Sequence, residues 1–357
     1  MKTIRLGTRP SALALWQANW TREALEKLGV DVEIVKITTS GDSNRTDAIA
    51  NIGAQGVFTK EIQRALLTGE IDVAAHSLKD LPVEKIPGLR LTATPARADN
   101  RDVFVSNKYA SLDELQQGAV LGTSSMRRKS MALRFCRQKF GEQDADTTSW
   151  DVRDVRGNVE TRLRKLDEGE YDALILASAG LTRLGLGDRA RVFLEQPDFL
   201  PAVGQGALGL ETREDDRETN EFVERLNDAP TFLSVVAERA LLATLQGGCL
   251  APIGACGVLG KADSVEILQL NAQILSFDGR SSFQTTSFQI FDENKLGSDV
   301  PLETKKGLAE LLGQGAAQSL LEQGAADLVE EIKRIRNERN EKLRKRSPDV
   351  DRESNAD

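Results

Sequence analysis

The sequence predicts an α/β protein with two doubly wound domains and a third, α+β domain that contains an antiparallel sheet. Strand-like and helix-like segments alternate over residues 4–177, which is typical of parallel sheets with helices on both faces. From about Glu214 the pattern changes to helices followed by three neighbouring strand-like segments with short connections. The length of 357 residues exceeds what one ordinary hydrophobic core supports, so two or three domains are expected.

The first unit opens with a strand that runs through Gly7 into a helix with apolar residues at helical spacing. That helix ends at Gly29, since glycine readily adopts the backbone conformation that stops a helix. A polar, glycine-bearing segment at 40–56 has no clear periodicity and is predicted to be a lid or a disordered loop. The predicted strands of this unit are 4–6, 32–38, 71–75 and 89–94, with a second helix at 59–67.

A second unit starts at about residues 98–101. The capping box Ser111-Leu112-Asp113-Glu114 predicts the start of a short helix, because its serine and glutamate can satisfy free N–H groups. A basic helix is predicted from Met126, immediately after Gly122-Thr123-Ser124-Ser125. The other predicted elements are strands at 102–106, 119–121, 151–155 and 173–177 and a helix at 158–166.

The third unit is predicted to hold helices at 217–227, 231–245 and 308–322 and strands at 253–259, 265–277 and 282–291. Residues after Ile335 are nearly all charged or polar, which predicts disorder. The expected domains are 1–98 with 196–213 (domain 1), 99–195 (domain 2), 214–335 (domain 3) and a charged tail, 336–357.

Composition excludes several function classes. A net charge of −8 and only 5% aromatic residues argue against a nucleic-acid partner. No apolar run approaches the roughly 20 residues that span a bilayer, so no membrane partner is expected. The three cysteines form no Cys-x-x-Cys pair and there is one histidine, His76, so neither a disulfide framework nor a metal site is indicated. The expected compartment is the cytoplasm.

A cysteine lies in a glycine-rich segment near the start of the third unit. The run Gly247-Gly248-Cys249, followed by Pro252, predicts a loop, because glycine permits unusual backbone angles and proline ends regular pairing. Such a loop would present the Cys249 thiol outward. The alternative is a small buried hydrophobe, which is what most free cysteines are.

Arginines recur at the turns where predicted strands lead into helices. In a doubly wound sheet these turns meet at one edge, where ligands bind, and helix N-termini there attract anions. Arginine binds a carboxylate through two parallel hydrogen bonds, so a set of them suits a polycarboxylate. For any one of these arginines taken alone, the alternative is a solvated position on the protein surface. The set comprises Arg9, Arg127, Arg128, Arg156, Arg162 and Arg183.

A carboxylate is predicted at the same edge. Asp80 lies in His76-Ser77-Leu78-Lys79-Asp80-Leu81-Pro82, just past a strand predicted to be buried. A carboxylate there can stabilise a cationic intermediate and move protons. The alternative is an aspartate that caps a turn before Pro82 and pairs with Lys79. His76 is interpreted as a structural hydrogen-bonding residue.

Together these stretches resemble the porphobilinogen deaminase (hydroxymethylbilane synthase) family over residues 4–325. Many separate motifs carry the resemblance, so chance agreement is excluded. They are Gly7-Thr8-Arg9, Leu15-Trp16-Gln17, His76-Ser77-Leu78-Lys79-Asp80-Leu81-Pro82, Gly122-Thr123-Ser124-Ser125-Met126-Arg127-Arg128, Arg156-Gly157-Asn158, Pro201-Ala202-Val203-Gly204-Gln205-Gly206, Gly247-Gly248-Cys249 and Pro252-Ile253-Gly254.

The resemblance implies a fold and an activity. The first two domains would be periplasmic-binding-protein-like halves of a clamp, and the third would deliver Cys249, which carries a covalent dipyrromethane cofactor through a thioether. Four porphobilinogen molecules would add in turn with loss of ammonia, and hydrolysis would then release hydroxymethylbilane, in tetrapyrrole (haem) biosynthesis. The protein would act as a monomeric transferase.

The resemblance also implies roles for individual residues. Asp80 would be catalytic. The cofactor would be bound by Lys79, Asp80, Ser125, Arg127, Arg128 and Arg156, besides Cys249. The substrate and growing chain would be bound by Arg9, Ser11, Phe58, Lys60, Arg162 and Arg183.

Two features depart from the family pattern. Members usually carry a lysine in a Gly-Lys-Gly segment where this chain has Ala54-Gln55-Gly56, so that role is not carried over to Gln55. The charged tail lies outside the family core and is expected to be dispensable for turnover.

Two other functions compete. A non-catalytic module that binds polycarboxylates could share the two-domain clamp, since fold alone does not decide function. An enzyme with Cys249 as a hydrolytic nucleophile would need a base beside the sulfur, and His76 is the sole histidine.

Overall fold

The structure is a computed structural model that describes residues 3–39, 59–141, 149–248, 251–262, 265–292 and 300–346. The described part contains three β-sheets, two of five strands and one of three. The predicted loop at 40–56, Phe58 and Cys249 lie outside the described residues.

The first sheet has the order β2-β1-β3-β10-β4, in which β10 is antiparallel to both of its neighbours. Helices α1 and α2 connect its parallel strands, and α6 follows β10. The elements are β1 (Ile4–Thr8), α1 (Ala12–Glu26), β2 (Val32–Lys36), α2 (Lys60–Leu67), β3 (Val73–Ser77), β4 (Leu89–Ala93), β10 (Leu208–Arg213) and α6 (Arg217–Glu224).

The second sheet repeats this order as β7-β6-β8-β5-β9, with β5 antiparallel to β8 and β9. In each sheet the fourth strand is entered from the other unit, so the chain crosses between them twice. The elements are β5 (Asp102–Val105), β6 (Val120–Gly122), α3 (Met126–Phe140), β7 (Asp151–Arg153), α4 (Val159–Asp167), β8 (Ala173–Ala177), α5 (Ser178–Arg183) and β9 (Val192–Leu194).

The third unit is an antiparallel sheet, β11-β12-β13, covered by two long helices. Its core joins apolar residues of α7, α8 and the sheet. Gly313 lets α8 approach α7 closely, because an added Cβ would overlap the carbonyl oxygen of Ala237. The elements are α7 (Ala229–Thr244), β11 (Ile253–Ala262), β12 (Val265–Leu275), β13 (Ser282–Asp292), α8 (Leu302–Leu320) and α9 (Ala326–Arg346). The predicted fold class, two α/β units and an α+β unit, is confirmed.

Two local predictions are wrong. Ser111 does not cap a helix with its side chain, and the segment forms a single 3₁₀ turn, Leu112–Glu114. Glu114 reaches back to the backbone N–H of Ala110, at 2.9 Å, rather than to that of Ser111.

None of the described helices combines the length and apolar character that crossing a membrane requires.

The other wrong prediction concerns the described part of the tail, whereas residues 347–357 lie outside the described residues. Residues 336–346, predicted to be disordered, continue helix α9. Val329 and Ile332 anchor the start of this helix in the third core. Lys, Arg and Glu are good helix formers, and adding residues to an existing helix is far easier than starting one.

Candidate active site

The predicted catalytic carboxylate lies on a tight turn after β3. Leu78–Asp80 forms one 3₁₀ turn in which Leu78 is buried, Lys79 half-buried and Asp80 exposed. The Leu78 N–H donates to Ala207 O at 3.1 Å, and the Leu81 N–H closes the turn on Leu78 O at 3.1 Å. The buried leucines therefore fix the turn, and the Asp80 side chain projects from it into solvent-accessible space.

Two serines begin helices that follow parallel strands, one in each α/β sheet. Ser11 caps α1 by accepting from the Ala14 N–H, and Ser125 caps α3 by accepting from the Arg128 N–H, each at 3.4 Å. Arg9 is half-buried on the turn between β1 and α1. The remaining free N–H groups of these helix N-termini favour an anion.

Arg127 and Arg128 are buried and share one carboxylate, that of Asp102 at the start of β5. Arg127 Nη1 lies 2.7 Å from Asp102 Oδ2, and Arg128 Nη2 lies 2.8 Å from Asp102 Oδ1. Gln205 Nε2 also donates to Asp102 Oδ1, at 2.8 Å. Although burial opposes ionisation of Asp102, the two guanidinium groups hold its carboxyl pKa well below the usual range. One carboxylate thus serves two buried cations, which leaves an excess positive charge.

Arg162, at the start of α4, adds to this excess. Burial and the neighbouring charges of Arg128 and Arg156 lower the pKa of Arg162 to about 10, while Asp80 acts in the opposite direction. Its Nε donates to Gly157 O at 2.8 Å. Arg156 is more exposed and pairs with Asp154 at 2.5 Å.

Lys79 belongs to the same cluster. Burial, and then the charge of Arg128, lower its pKa to about 8, against the opposing effects of Asp80 and Asp102. These interactions link Lys79, Asp80, Arg127, Arg128, Arg156 and Arg162, and we call this set the cationic cluster. The carboxylates that act on its cations in the described part of the chain include Asp80, Asp102 and Asp154.

Arg183 ends α5 on the side of the second unit that faces α1. Its guanidinium lies 5.5 Å from the centre of the Trp16 ring, and its Nη2 donates to Gly206 O at 2.7 Å. Burial lowers the pKa of Arg183 to about 10, and among the described residues its Nε has no hydrogen-bond partner. Lys60 is the exposed first residue of α2 and belongs to none of these contacts.

The segment before Cys249 caps helix α7. Gln246 has φ of +51°, and its N–H donates to Ala243 O while the Gly247 N–H donates to Leu242 O, both at 3.0 Å. These paired bonds form a Schellman cap in which glutamine holds the left-handed position usually given to glycine. Arg336 Nη1 of α9 donates to Gln246 O at 3.0 Å. The Ala251 N–H donates to Gly248 O at 2.9 Å.

The two glycines of this turn have different surroundings, which gives a matched test. A Cβ on Gly247 would lie 2.6 Å from Leu242 Cδ1 and 2.7 Å from Ile253 Cδ1, whereas one on Gly248 meets nothing within 4 Å. Gly247→Ala is expected to lower the free energy of unfolding by about 1–3 kcal/mol, and Gly248→Ala by less than about 0.5 kcal/mol. Urea denaturation of both variants checks this, and equal losses would contradict it.

The sequence-based reasoning missed the carboxylates that organise the site. Glu238 of α7 is fully buried and accepts from Arg97 and from the N–H groups of Gly204 and Gly257. The sequence pattern predicts Asp102 only as the start of a strand. The available signal is that each carboxylate lies in a largely apolar element, and a charged residue requires partners when it is buried. His76 is buried with Nε2 3.2 Å from Glu211 Oε2.

Two family models match the chain. The model described as porphobilinogen deaminase, dipyromethane cofactor binding domain, matches residues 4–221, and that described as porphobilinogen deaminase, C-terminal domain, matches residues 232–322. The porphobilinogen deaminase of Trichlorobacter lovleyi is 46% identical over 302 residues, which cover 84% of this chain and 92% of that protein.

Solved structures of binding proteins were also found. The methionine-binding protein MetQ has a TM-score of 0.40 and 17% identity over 67% of this chain and 93% of its own. The periplasmic sulfonate-binding protein SsuA from Methylobacillus flagellatus has a TM-score of 0.36 and 16% identity over 69% of this chain and 68% of its own. The family models and the 46% identical relative, however, span both α/β units and the third unit. The chain belongs to the porphobilinogen deaminase family.

Proposed function

We propose that this protein is a porphobilinogen deaminase (hydroxymethylbilane synthase), a transferase that joins four porphobilinogen molecules with loss of ammonia and releases hydroxymethylbilane by hydrolysis. The observation that carries the proposal is the position of Asp80 within the cationic cluster. The exposed Asp80 carboxylate lies there among cations, several of which have lowered pKa values, and such a site suits a ligand that brings its own carboxylates.

The cationic cluster fits a dipyrromethane cofactor, because its excess positive charge matches the acetate and propionate groups of the pyrroles. Cys249 would hold the cofactor covalently, and Lys79, Ser125, Arg127, Arg128 and Arg156 would bind its carboxylates. When bound, the cofactor supplies the pyrrole carbon to which the first substrate is joined. Arg9, Ser11, Phe58, Lys60, Arg162 and Arg183 would bind the substrate and the growing chain.

Asp80 would perform the electrostatic and proton-transfer work. Positive charge develops on the substrate as ammonia leaves, and a fixed carboxylate beside it stabilises that charge. The same oxygens can accept the proton that leaves the carbon–carbon bond-forming position. The fixed 3₁₀ turn would hold Asp80 in place among these cations.

Incubation with porphobilinogen tests the proposal. One ammonia is expected for each porphobilinogen consumed, with a linear tetrapyrrole as product, and Cys249→Ala is expected to produce neither. Binding of porphobilinogen without release of ammonia would favour the competing function, a non-catalytic module that binds polycarboxylates.

Labelling with iodoacetamide distinguishes the proposed thioether at Cys249 from a free, nucleophilic Cys249 thiol. A cysteine held in a thioether stays unlabelled even in denatured protein, whereas a free catalytic thiol is alkylated readily. Cys136 and Cys256 are buried free thiols that become available on denaturation and serve as internal controls for the labelling.

Lys79 predicts a pH dependence. Its pKa is lowered to about 8, so it is charged below that pH and neutral above it. As pH rises from 7 to 9, the loss of one charge-assisted hydrogen bond to a ligand carboxylate is expected to lower kcat/KM by about 10-fold. Lys79→Met should lack this step, whereas the exposed Lys85→Met should retain it. A wild-type profile that is flat over this range would contradict the assignment.

We extend the proposal to the organisation and location of the protein. The domains would be 1–98 with 196–213, 99–195 and 214–335, which agrees with the two chain crossings between the α/β sheets. The protein would work as a cytoplasmic monomer with porphobilinogen as its small-molecule partner. Size-exclusion chromatography with light scattering checks the monomer.

A further inference from the structure

Helix α7 of the third unit packs directly against the turn that carries Asp80. Val235 of α7 forms one buried cluster with Leu78, Leu81 and Ala207. Leu78 and Leu81 flank Lys79 and Asp80 in the sequence, so the catalytic turn is attached to α7 by its two apolar side chains.

Arg239 lies one helical turn after Val235 and adds a polar attachment to the same turn. Its Nη1 donates to Leu81 O at 3.0 Å, and its Nη2 donates to Pro82 O at 2.7 Å. Two nitrogens of one planar guanidinium thereby hold two successive carbonyl groups, which fixes the orientation of the backbone just after Asp80.

Removing the Arg239 guanidinium from water costs free energy, which is poorly repaid if the contact serves stability alone. Burial lowers the pKa of Arg239 to about 10, and the charge of Glu211 acts in the opposite direction. Its described hydrogen bonds go to neutral carbonyl oxygens rather than to a carboxylate. A half-buried cation held in this way can be replaced by an apolar side chain at little cost in stability unless its hydrogen-bond geometry matters.

The same helix ends at the cysteine-bearing turn. The Schellman cap at Gln246 comes seven residues after Arg239, which is about 10 Å along a helix axis. Helix α7 therefore connects the Asp80 turn, at Val235 and Arg239, with the described residues 246–248 that precede Cys249 in the sequence.

We infer that Arg239 is a positioning residue, which holds the Asp80 turn on helix α7 and so fixes the orientation of the catalytic carboxylate. The inference rests on the proposed function for the role of Asp80. The attachment itself, between the Arg239 guanidinium and the two carbonyl groups, can be tested without any activity.

A pair of lysine substitutions tests the inference. Arg239→Lys keeps the charge but loses the forked geometry, and kcat is expected to fall by about 10- to 100-fold, the effect of an ångström-scale misplacement, with KM nearly unchanged. Arg213→Lys is the control, because Arg213 also donates to two carbonyl groups, those of Leu66 and Ile71, in the first unit, although it pairs in addition with Asp72 and Asp216. Its kcat is expected to stay within about 2-fold of wild type.

Two further readouts separate positioning from folding. Intact mass should show the same cofactor content in wild type and Arg239→Lys, and the Leu81 amide, which donates to Leu78 O, should exchange its hydrogen faster in the variant. Arg239→Met should lower kcat further if it folds, and if it does not fold the lysine variant decides. Unchanged kcat and unchanged Leu81 exchange in Arg239→Lys would overturn the inference. If the wild type makes no tetrapyrrole, the proposed function fails, and the exchange measurement still tests the attachment.

Discussion

Asp80→Asn is expected to reduce turnover by about 100- to 1,000-fold without a measurable change in stability. Asparagine keeps the size and the hydrogen-bonding oxygen but loses the negative charge that stabilises the developing cation. The Asp80 side chain is exposed, and surface substitutions of this kind change stability by less than about 0.5 kcal/mol. Steady-state kinetics and thermal denaturation of the purified variant measure the two effects.

Asp113→Asn is the matched control for this substitution. Asp113 is also an exposed aspartate on a single 3₁₀ turn, Leu112–Glu114, but it lies outside the cationic cluster. Its kcat should equal that of the wild type. If Asp80→Asn turned over at near the wild-type rate, Asp80 would have no part in the chemistry.

The second large effect is on stability. Asp102→Asn is expected to lower the free energy of unfolding by about 3–5 kcal/mol, because it leaves the buried guanidinium groups of Arg127 and Arg128 without a counter-charge. Asp99→Asn is the control, since Asp99 pairs with Arg101 at the surface, where such a pair contributes at most about 1 kcal/mol. Urea denaturation at neutral pH compares the two, and a loss below 1 kcal/mol for Asp102→Asn would contradict the buried ion-pair network.

The same residue predicts a pH dependence of stability. Because the folded-state pKa of Asp102 is depressed, its stabilisation is fully present above the ordinary aspartate pKa of 3.8 and is lost as pH falls below that value. The wild type should therefore lose stability on acidification more steeply than Asp102→Asn does. Parallel stability curves for the two proteins below pH 4 would show that Asp102 does not contribute in this way.

Much of the site was predictable because its residues are set by local rules. Ser11 and Ser125 cap helices that follow parallel strands, so each lies at the carboxyl edge of its own sheet, as the alternation of elements implies. Asp80 follows a buried strand of the first sheet and falls at the same edge as Ser11. These positions depend on short stretches of sequence.

The hydrogen-bond and ion-pair partners of the arginines were not predictable in the same way. The pattern that marks Arg127 and Arg162 is the same, yet Arg127 is paired with a buried carboxylate and Arg162 is held mainly by a backbone carbonyl. The difference between the two arginines depends on Asp102, which begins β5. The chain enters the second sheet at this strand, and the pairing of β5 with β8 places Asp102 beside Arg127. Pairing of this kind is set by tertiary packing, and one sequence carries no direct signal of it.

The helical conformation of residues 336–346 was not predictable for a related reason. Its composition predicts disorder, but the apolar Val329 and Ile332 start a helix inside the third core, and the charged residues beyond them extend it to Arg346. Local composition describes an isolated segment, whereas here the helix is nucleated by packing. Arg336 then contacts the backbone of the cysteine-bearing turn, a contact that composition does not indicate.

The most direct test of the central claim is the intact mass of the purified wild-type protein beside that of Cys249→Ala. The account predicts that the wild type exceeds the mass of its chain by two linked pyrrole units and that the variant shows no excess. A wild type that has the bare chain mass, and that gains none on incubation with porphobilinogen, would contradict the covalent cofactor and leave the polycarboxylate-binding module as the better explanation.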